Sequence, residues 1–327
     1  MVKRAIVRHG LGLCLAVLAL AASPSIAAPL RIGYSDYPGW VAWQVAIDKG
    51  WLKEAGVSAQ FQWFDYSASM DAFGAGKIDA DLVTNGDALV MAGGGTRSLM
   101  VMLTDYSDGN DMIVGRPGIK SIKDLKGKKV AVEVGLVEHL LLLDGLQKAG
   151  MSESDITLVN TKTNDTPQVL ASGEVAAIGA WQPVSGMAMK ALPGARPIHT
   201  SADTPGLIYD VLVVSPESLK TRKAEWKKLL GVWDRVVHYI NDPLTQDDAV
   251  RIMAARVGLA PEVYRGLLKG THLIDLAEGR RLFEKGKGLG SLYGSTEIAN
   301  DFNLKNNVYK EKFDIANFID PSLMIDK

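Results

Sequence analysis

The clearest chemistry-bearing feature of this 327-residue sequence is a set of acidic residues standing beside aromatic ones at short polar breaks. Asp36 is followed by Tyr37 and then Trp40; Asp87 lies just after Asn85; Asp111 comes shortly after Tyr106; Asp210 directly follows Tyr209. Glu133 and Glu138 flank the turn at Gly135, and Trp181-Gln182 closes a run of small residues. A carboxylate offers two oxygens to paired N–H donors, and the face of an aromatic ring attracts positive charge. Together they suit a small cation, above all a planar one. Guanidinium meets both demands, and urea has the same flat shape without the charge.

Each of these residues also has a purely structural use. Asp36 and Asp87 stand where an acid caps or favours a helix start. Glu138 falls in a first helical turn, yet Leu141 and Leu142 lie on its i+3 and i+4 side, which argues against free exposure. Glu133 ends a strand expected to be buried, so it needs a partner there, either a Lys or Arg or a ligand. Trp181 fits core packing as well as a ligand wall, Asn85 and Gln182 suit turn caps, and Asp111 and Asp210 suit hydrogen bonds in a crossover. Their common sign is what favours a ligand.

Other chemistries lack their residues. Past the N-terminal segment, His139, His199, His238 and His272 never pair at i, i+4, so no zinc-type spacing exists, and neither a metal nor a cofactor is expected. There is no Gly-x-Ser-x-Gly elbow, and the glycine-rich run at 286–290 lacks P-loop spacing. Lys126, Lys128 and Lys129 read as a solvated turn. The single cysteine, Cys14, lies in an apolar N-terminal run, so a catalytic thiol or a disulfide framework is excluded from the remainder.

That run, residues 11–22, follows Lys3, Arg4 and Arg8 and precedes the small-x-small pattern Ser25-Ile26-Ala27, the signature of an export signal over residues 1–27. It is too short to span a membrane, for which about 20 apolar residues are needed. Its removal takes three of 36 basic residues and moves the formal net charge from −1 to −4. No basic footprint for nucleic acid remains.

The elements that must position the acids alternate. Strands are expected at 30–34, 61–64, 81–84, 99–103, 112–115, 129–134 and 156–159, with helices at 40–49, 67–76 (capped by Ser67), up to 149, and from 166. This is the pattern of parallel βαβ units in a doubly wound α/β sheet. After Pro216 the chain turns helical over 217–240, 244–257 and 261–268. Phe73-Gly74-Ala75-Gly76-Lys77-Ile78-Asp79-Ala80 is echoed by Leu170-Ala171-Ser172-Gly173-Glu174-Val175-Ala176-Ala177. In each copy a helix ends in glycine and enters a short buried strand, which stops at Thr84-Asn85 or Trp181-Gln182. Two similar halves, each offering polar groups at strand carboxyl ends, imply two lobes that close on a ligand.

The chain resembles the periplasmic substrate-binding proteins of ABC importers, in the nitrate, sulfonate and taurine group. The resemblance is carried by Leu30-Arg31-Ile32-Gly33-Tyr34, the first echo copy, Ser121-Ile122-Lys123-Asp124-Leu125-Lys126-Gly127-Lys128-Lys129-Val130, residues 170–181, and Val211-Leu212-Val213-Val214-Ser215-Pro216. Within that group it is most similar to a subgroup associated with urea-carboxylase-type enzymes and with guanidine and urea-related nitrogen use. The resemblance implies a two-lobed periplasmic-binding-protein fold of type II. Lobe 1 would comprise 28–110 and 211–327, lobe 2 would comprise 111–210, and hinge crossovers would lie near 107–114 and 206–214. It further implies a periplasmic, non-enzymatic, monomeric receptor whose partners are a small-molecule ligand and an inner-membrane permease. Where anion-binding relatives carry Gly-Ser or Gly-Thr before a helix, this chain reads Glu133-Val134-Gly135-Leu136-Val137-Glu138-His139. That departure turns the expectation toward a cationic nitrogen compound such as guanidine. Taurine, an alkanesulfonate, nitrate or neutral urea are the alternatives, and an enzyme on the same scaffold is the remaining one.

Overall fold

The computed structural model describes residues 28–325; the expected export signal lies outside the described residues. The first apolar run forms β1 (Leu30–Tyr34), which pairs in parallel with β2 (Ala59–Trp63) and β3 (Ala80–Thr84). β4 (Leu99–Ser107) extends this sheet. The chain then leaves it to make β5 (Asp111–Gly115), β6 (Lys129–Val132), β7 (Thr157–Asn160), β8 (Ala177–Trp181) and β9 (Arg196–Thr200), which form a second sheet. It returns with β10 (Tyr209–Val214) and β11 (Thr271–Leu273). The orders are β11-β4-β10-β3-β1-β2 and β7-β6-β8-β5-β9.

The two sheets share one plan. β6 is parallel to β7 and β8, as β1 is to β2 and β3, and antiparallel β5 lies beside β8 as antiparallel β10 lies beside β3. The sequence echo is therefore structural, since its two copies feed β3 and β8. Every residue of β3, β5, β8 and β10 is buried, as expected of strands with both faces covered. Period-two alternation sorts the second sheet's side chains between two cores. Met112, Val114, Ile178 and Ala180 pack with Leu170, Val184 and Ala188 of the Thr166–Ser172 and Val184–Ala191 helices. Ile113 and Trp181 face the other way, toward the main core and the Val137–Lys148 helix.

The helical portion braces the first sheet. Ser215 caps the Pro216–Asn241 helical segment, which is kinked at Arg222, by accepting from the Ser218 amide, with Pro216 in its first turn. Its apolar stripe carries Trp226, Trp233 and Ile240 inward, and Trp233 donates to the Ile274 carbonyl at 2.9 Å. Among the described residues no helix is long and apolar enough to cross a membrane.

The chain crosses between the sheets twice, after Ser107 and after Thr200, and the crossings are tied together. The Ser201 hydroxyl lies 2.7 Å from that of Ser107 and accepts from the Gly109 amide at 2.7 Å. Gly109 has φ of 116°, a conformation that favours glycine. The Asp111 amide donates to Ser107 Oγ at 3.1 Å, which fixes the first residue of β5 to the last of β4.

Candidate ligand-binding site

Each sheet delivers a pair of carboxyl groups to the space between them. On the first sheet Asp105 of β4 and Asp210 of β10 are register partners, and both are buried. Alternation turns their neighbours away. Tyr106 stacks on His272 at 4.6 Å, and the Tyr209 hydroxyl donates to the Leu289 carbonyl at 2.9 Å. Asp105 fits because residue 39 has no side chain: a Cβ there would lie within 2.6 Å of Cγ and both carboxylate oxygens. The same close approach brings the Pro38–Val41 helix, with Tyr37 and Trp40, against the acids.

On the second sheet Asp111 of β5 stands opposite Trp181, the last residue of β8, as Asp210 stands opposite Thr84, the last residue of β3. Asp111 and Asp210 therefore hold equivalent places in the two halves. Glu138, in the first turn of the Val137–Lys148 helix, is fully buried and faces Asp111. Gly179 makes its room, because a Cβ at that position would sit 2.9 Å from Glu138 Cβ.

Among the described residues, no Lys, Arg or His appears with the groups that act on these acids. Burial is the main upward push on all four; neighbouring carboxylates come next for Glu138 and Asp210, whereas hydrogen bonds, from Asp210 to Asp105 and from Ser107 and Glu138 to Asp111, pull the other two back. Asp87 and Asp105 are pushed up to about 7 and Asp111 to about 6, while Glu138 and Asp210 go well above the ordinary carboxylate range. Both oxygens of Asp105 and of Glu138, one each of Asp111 and Asp210, the Tyr37 hydroxyl and the Trp40 indole N–H are buried without a formed hydrogen bond. A buried polar group left this way costs about 1–3 kcal/mol. The site is a store of unused acceptors walled by rings. Trp40 stacks on Tyr66 at 5.1 Å, Tyr37 lies 5.3 Å from Trp40, and Tyr66 meets Trp181 edge-on at 5.3 Å.

Contacts from the second sheet's side close the cleft. Trp181 Nε1 donates to Asp36 Oδ1 at 3.0 Å, the Val137 amide to Asp87 Oδ2 at 3.3 Å, and Asn164 Nδ2 to Asp65 Oδ1 at 2.9 Å. Tyr66 and Trp181 also line a cavity of about 240 Å³, together with Asp65, Glu133, Lys162 and Asp165.

The residues singled out from sequence are thus not equal. Tyr37, Trp40, Asp87, Asp111, Glu138, Trp181 and Asp210 converge, and Asp36 joins them through Trp181. Asp87 is partly engaged, since its Oδ2 accepts from the Tyr66 hydroxyl at 2.6 Å. Asn85 is occupied with the scaffold: its Nδ2 donates to Ser295 and Thr296, and its Oδ1 accepts from the Tyr209 amide. Gln182 folds over the start of the next helix, where its Oε1 lies 2.7 Å from a Cβ placed at Gly186. Glu133 departs from expectation, because β6 ends at Val132 and leaves the side chain half-buried at the cavity mouth, near Thr163. Two residues were missed. Asp105 lies beyond the point where the apolar run 99–103 stops, although a buried strand continuing to Ser107 carries it; Tyr66 precedes the expected helix start but is its first residue, with Asp65 at the cap position in place of Ser67.

Solved structures share this architecture. The alkanesulfonate-binding protein SsuA from Xanthomonas axonopodis pv. citri, bound to MOPS, superposes with a TM-score of 0.75 at 18% identity, covering 90% of this chain and 98% of that one. The desulfurization enzyme DSZB does so at 0.62 and 18%, covering 91% and 98%. Among curated proteins, one from Brucella abortus (strain 2308) named as a binding protein is 30% identical over 192 residues, spanning 57% of this chain and 59% of its own length. The two-sheet α/β fold is that of the periplasmic binding proteins. Residues 38–244, which run from the helix bearing Trp40 past Asp210, match the NMT1/THI5 like family model, and the chain belongs to that family.

Proposed function

We propose that this protein is the exported solute-binding component of an ABC importer and that its cargo is a small planar nitrogen cation, guanidinium first. The single observation that carries the ligand class is the convergence of Asp105 and Asp210 from one sheet with Asp111 and Glu138 from the other, all buried and none met by a basic side chain. A planar cation with N–H donors on several edges supplies what those oxygens lack, and the rings of Tyr37, Trp40, Tyr66 and Trp181 give it flat walls. Because acceptors come from both sheets, the ligand makes its full set of contacts only when the cleft is shut, so binding favours the closed state by that difference. A membrane permease would read the closed form, and no bond is made or broken.

The likeness to an alkanesulfonate-binding structure favours a second reading, a sulfonate or other small anion. An anion would meet four or more carboxyl groups and no arginine, which sets it against like charge at close range. Neutral urea keeps the shape but forgoes the charge. An enzyme role finds no thiol past Cys14. Isothermal titration of the mature protein at pH 7.5 with guanidinium, methylguanidinium, urea, taurine, ethanesulfonate and nitrate separates these. Guanidinium should bind at least tenfold more tightly than urea, with no measurable heat from the anions. Binding of the anions alone would overturn the cation assignment.

A further inference from the structure

Resting on the cation reading of this site, we propose that the cleft exchanges protons for its cargo: the Asp105–Asp210 pair and the Asp111–Glu138 pair each hold one proton between them in the empty closed cleft, and a bound monocation expels one of these to solvent. The charge of the cavity is then the same before and after binding, one positive charge entering and one leaving.

Geometry makes the shared protons necessary. Asp105 and Asp210 are register partners on neighbouring strands and Glu138 faces Asp111, yet carboxylates only accept, and both oxygens of Asp105 and of Glu138 with one each of Asp111 and Asp210 are buried without a formed hydrogen bond. Two buried carboxyls in contact are held together by a proton or driven apart by repulsion. The groups facing them add no cation. Asp87 comes from the Asn85–Gly93 helix, Tyr66 from the Tyr66–Gly74 helix, and Asp36 with Tyr37 from the segment after β1. The nearby helix contributes His139, but its ring is turned away, accepting from the Gly135 amide and meeting Glu153 at 3.1 Å. Lys162 lines the cavity bordered by Tyr66, Trp181 and Glu133, and it is not among the groups that act on the four acids. Four ionised carboxyls around one monocation would leave three uncompensated buried charges, a state that burial strongly disfavours. The site therefore keeps some protons in every state, and adding a cation reduces how many it needs.

The consequence is that protons and cargo compete. Guanidinium remains charged throughout the range of interest, so any pH dependence belongs to the protein. Titration calorimetry of the mature protein with guanidinium chloride at pH 7, in buffers of different ionisation heat, should count about one proton released per cation. The Kd should weaken about tenfold for each unit as pH falls from 7 to 5. The double variant Asp210→Asn/Glu138→Gln places one amide donor in each pair, removes the shared protons and should flatten that dependence to less than twofold; where it binds too weakly to titrate, the wild-type proton count decides. Binding of guanidinium with no proton release and a Kd constant from pH 5 to 8 overturns the exchange and leaves the cation reading standing. A tenfold slope surviving in the double variant overturns it too. Failure of the folded protein to bind guanidinium at any pH overturns both.

Discussion

Gly39→Ala tests how tightly the acids are held. The added methyl would lie within 2.6 Å of three atoms of Asp105, where no Cβ can remain. Asp105 is itself fixed, being buried on β4 opposite Asp210 and packed beneath the Pro38–Val41 helix, so either the helix lifts or the carboxyl rotates off its partner. Overpacking of this kind costs about 1–3 kcal/mol, which at about 2–4 °C per kcal/mol for a chain of this order of size lowers Tm by roughly 2–12 °C. Lifting the helix also moves Tyr37 and Trp40, so guanidinium affinity should fall at least tenfold. Differential scanning fluorimetry reads the first effect and calorimetry the second. Gly231→Ala is the control: nothing lies within 4 Å of its Cβ position on the Pro216–Asn241 helix, and it should gain about 0.5–1 kcal/mol from helix propensity with binding unchanged. A Gly39→Ala protein that melts within 1 °C of the parent and binds as tightly would refute the close-packing argument.

Three further outcomes are expected. Ligand-free protein should melt higher at pH 5 than at pH 8: Asp105 and Asp87 titrate near 7 and Asp111 near 6 when folded but near about 4 when unfolded, so the folded state binds more protons and loses stability as pH rises through that window; Asp105→Asn should shallow the fall. Trp181→Phe keeps an aromatic wall, though a smaller one, but removes the 3.0 Å bond to Asp36, a charge-assisted contact worth about 1.5–3 kcal/mol, and should both weaken guanidinium binding and raise the radius of gyration measured by small-angle scattering. Asn85→Ala loses its bonds to Ser295, Thr296 and the Tyr209 amide and should cost about 2–3 kcal/mol in urea unfolding, while the pH dependence of cation binding stays the same.

The repeated plan was legible because it rests on local signals: helix, glycine, short buried strand. Asp210 was read as a crossover residue and instead lies within β10, whereas Trp181 was legible because a polar or bulky residue at the end of a buried strand is conspicuous. Asp105 has the same signature, but an apolar run suggests where a strand is covered, not where it stops, and β4 continues four residues past Leu103. Tyr106 and Tyr209 stood beside acids in sequence and still face away, since adjacent strand residues point to opposite sides. The expected helix at 40–49 is two pieces, Pro38–Val41 and Trp43–Asp48, a break no periodicity announces. Which carboxyls meet is a matter of tertiary register. Asp105 finds Asp210 across 105 positions of chain through strand pairing alone.

The serine tie between the two crossings has a mechanical meaning. With Ser201 gripping both Ser107 and Gly109, the closure proposed above would turn the connecting segments as one axle instead of two independent threads. Asp111 is anchored to that same tie through Ser107, so in such a closure its approach to Asp210 would be guided by the backbone. On that proposed mechanism cargo and stroke would be separable: exchanging a few side chains in the jaws would retarget the trap without recalibrating how it swings.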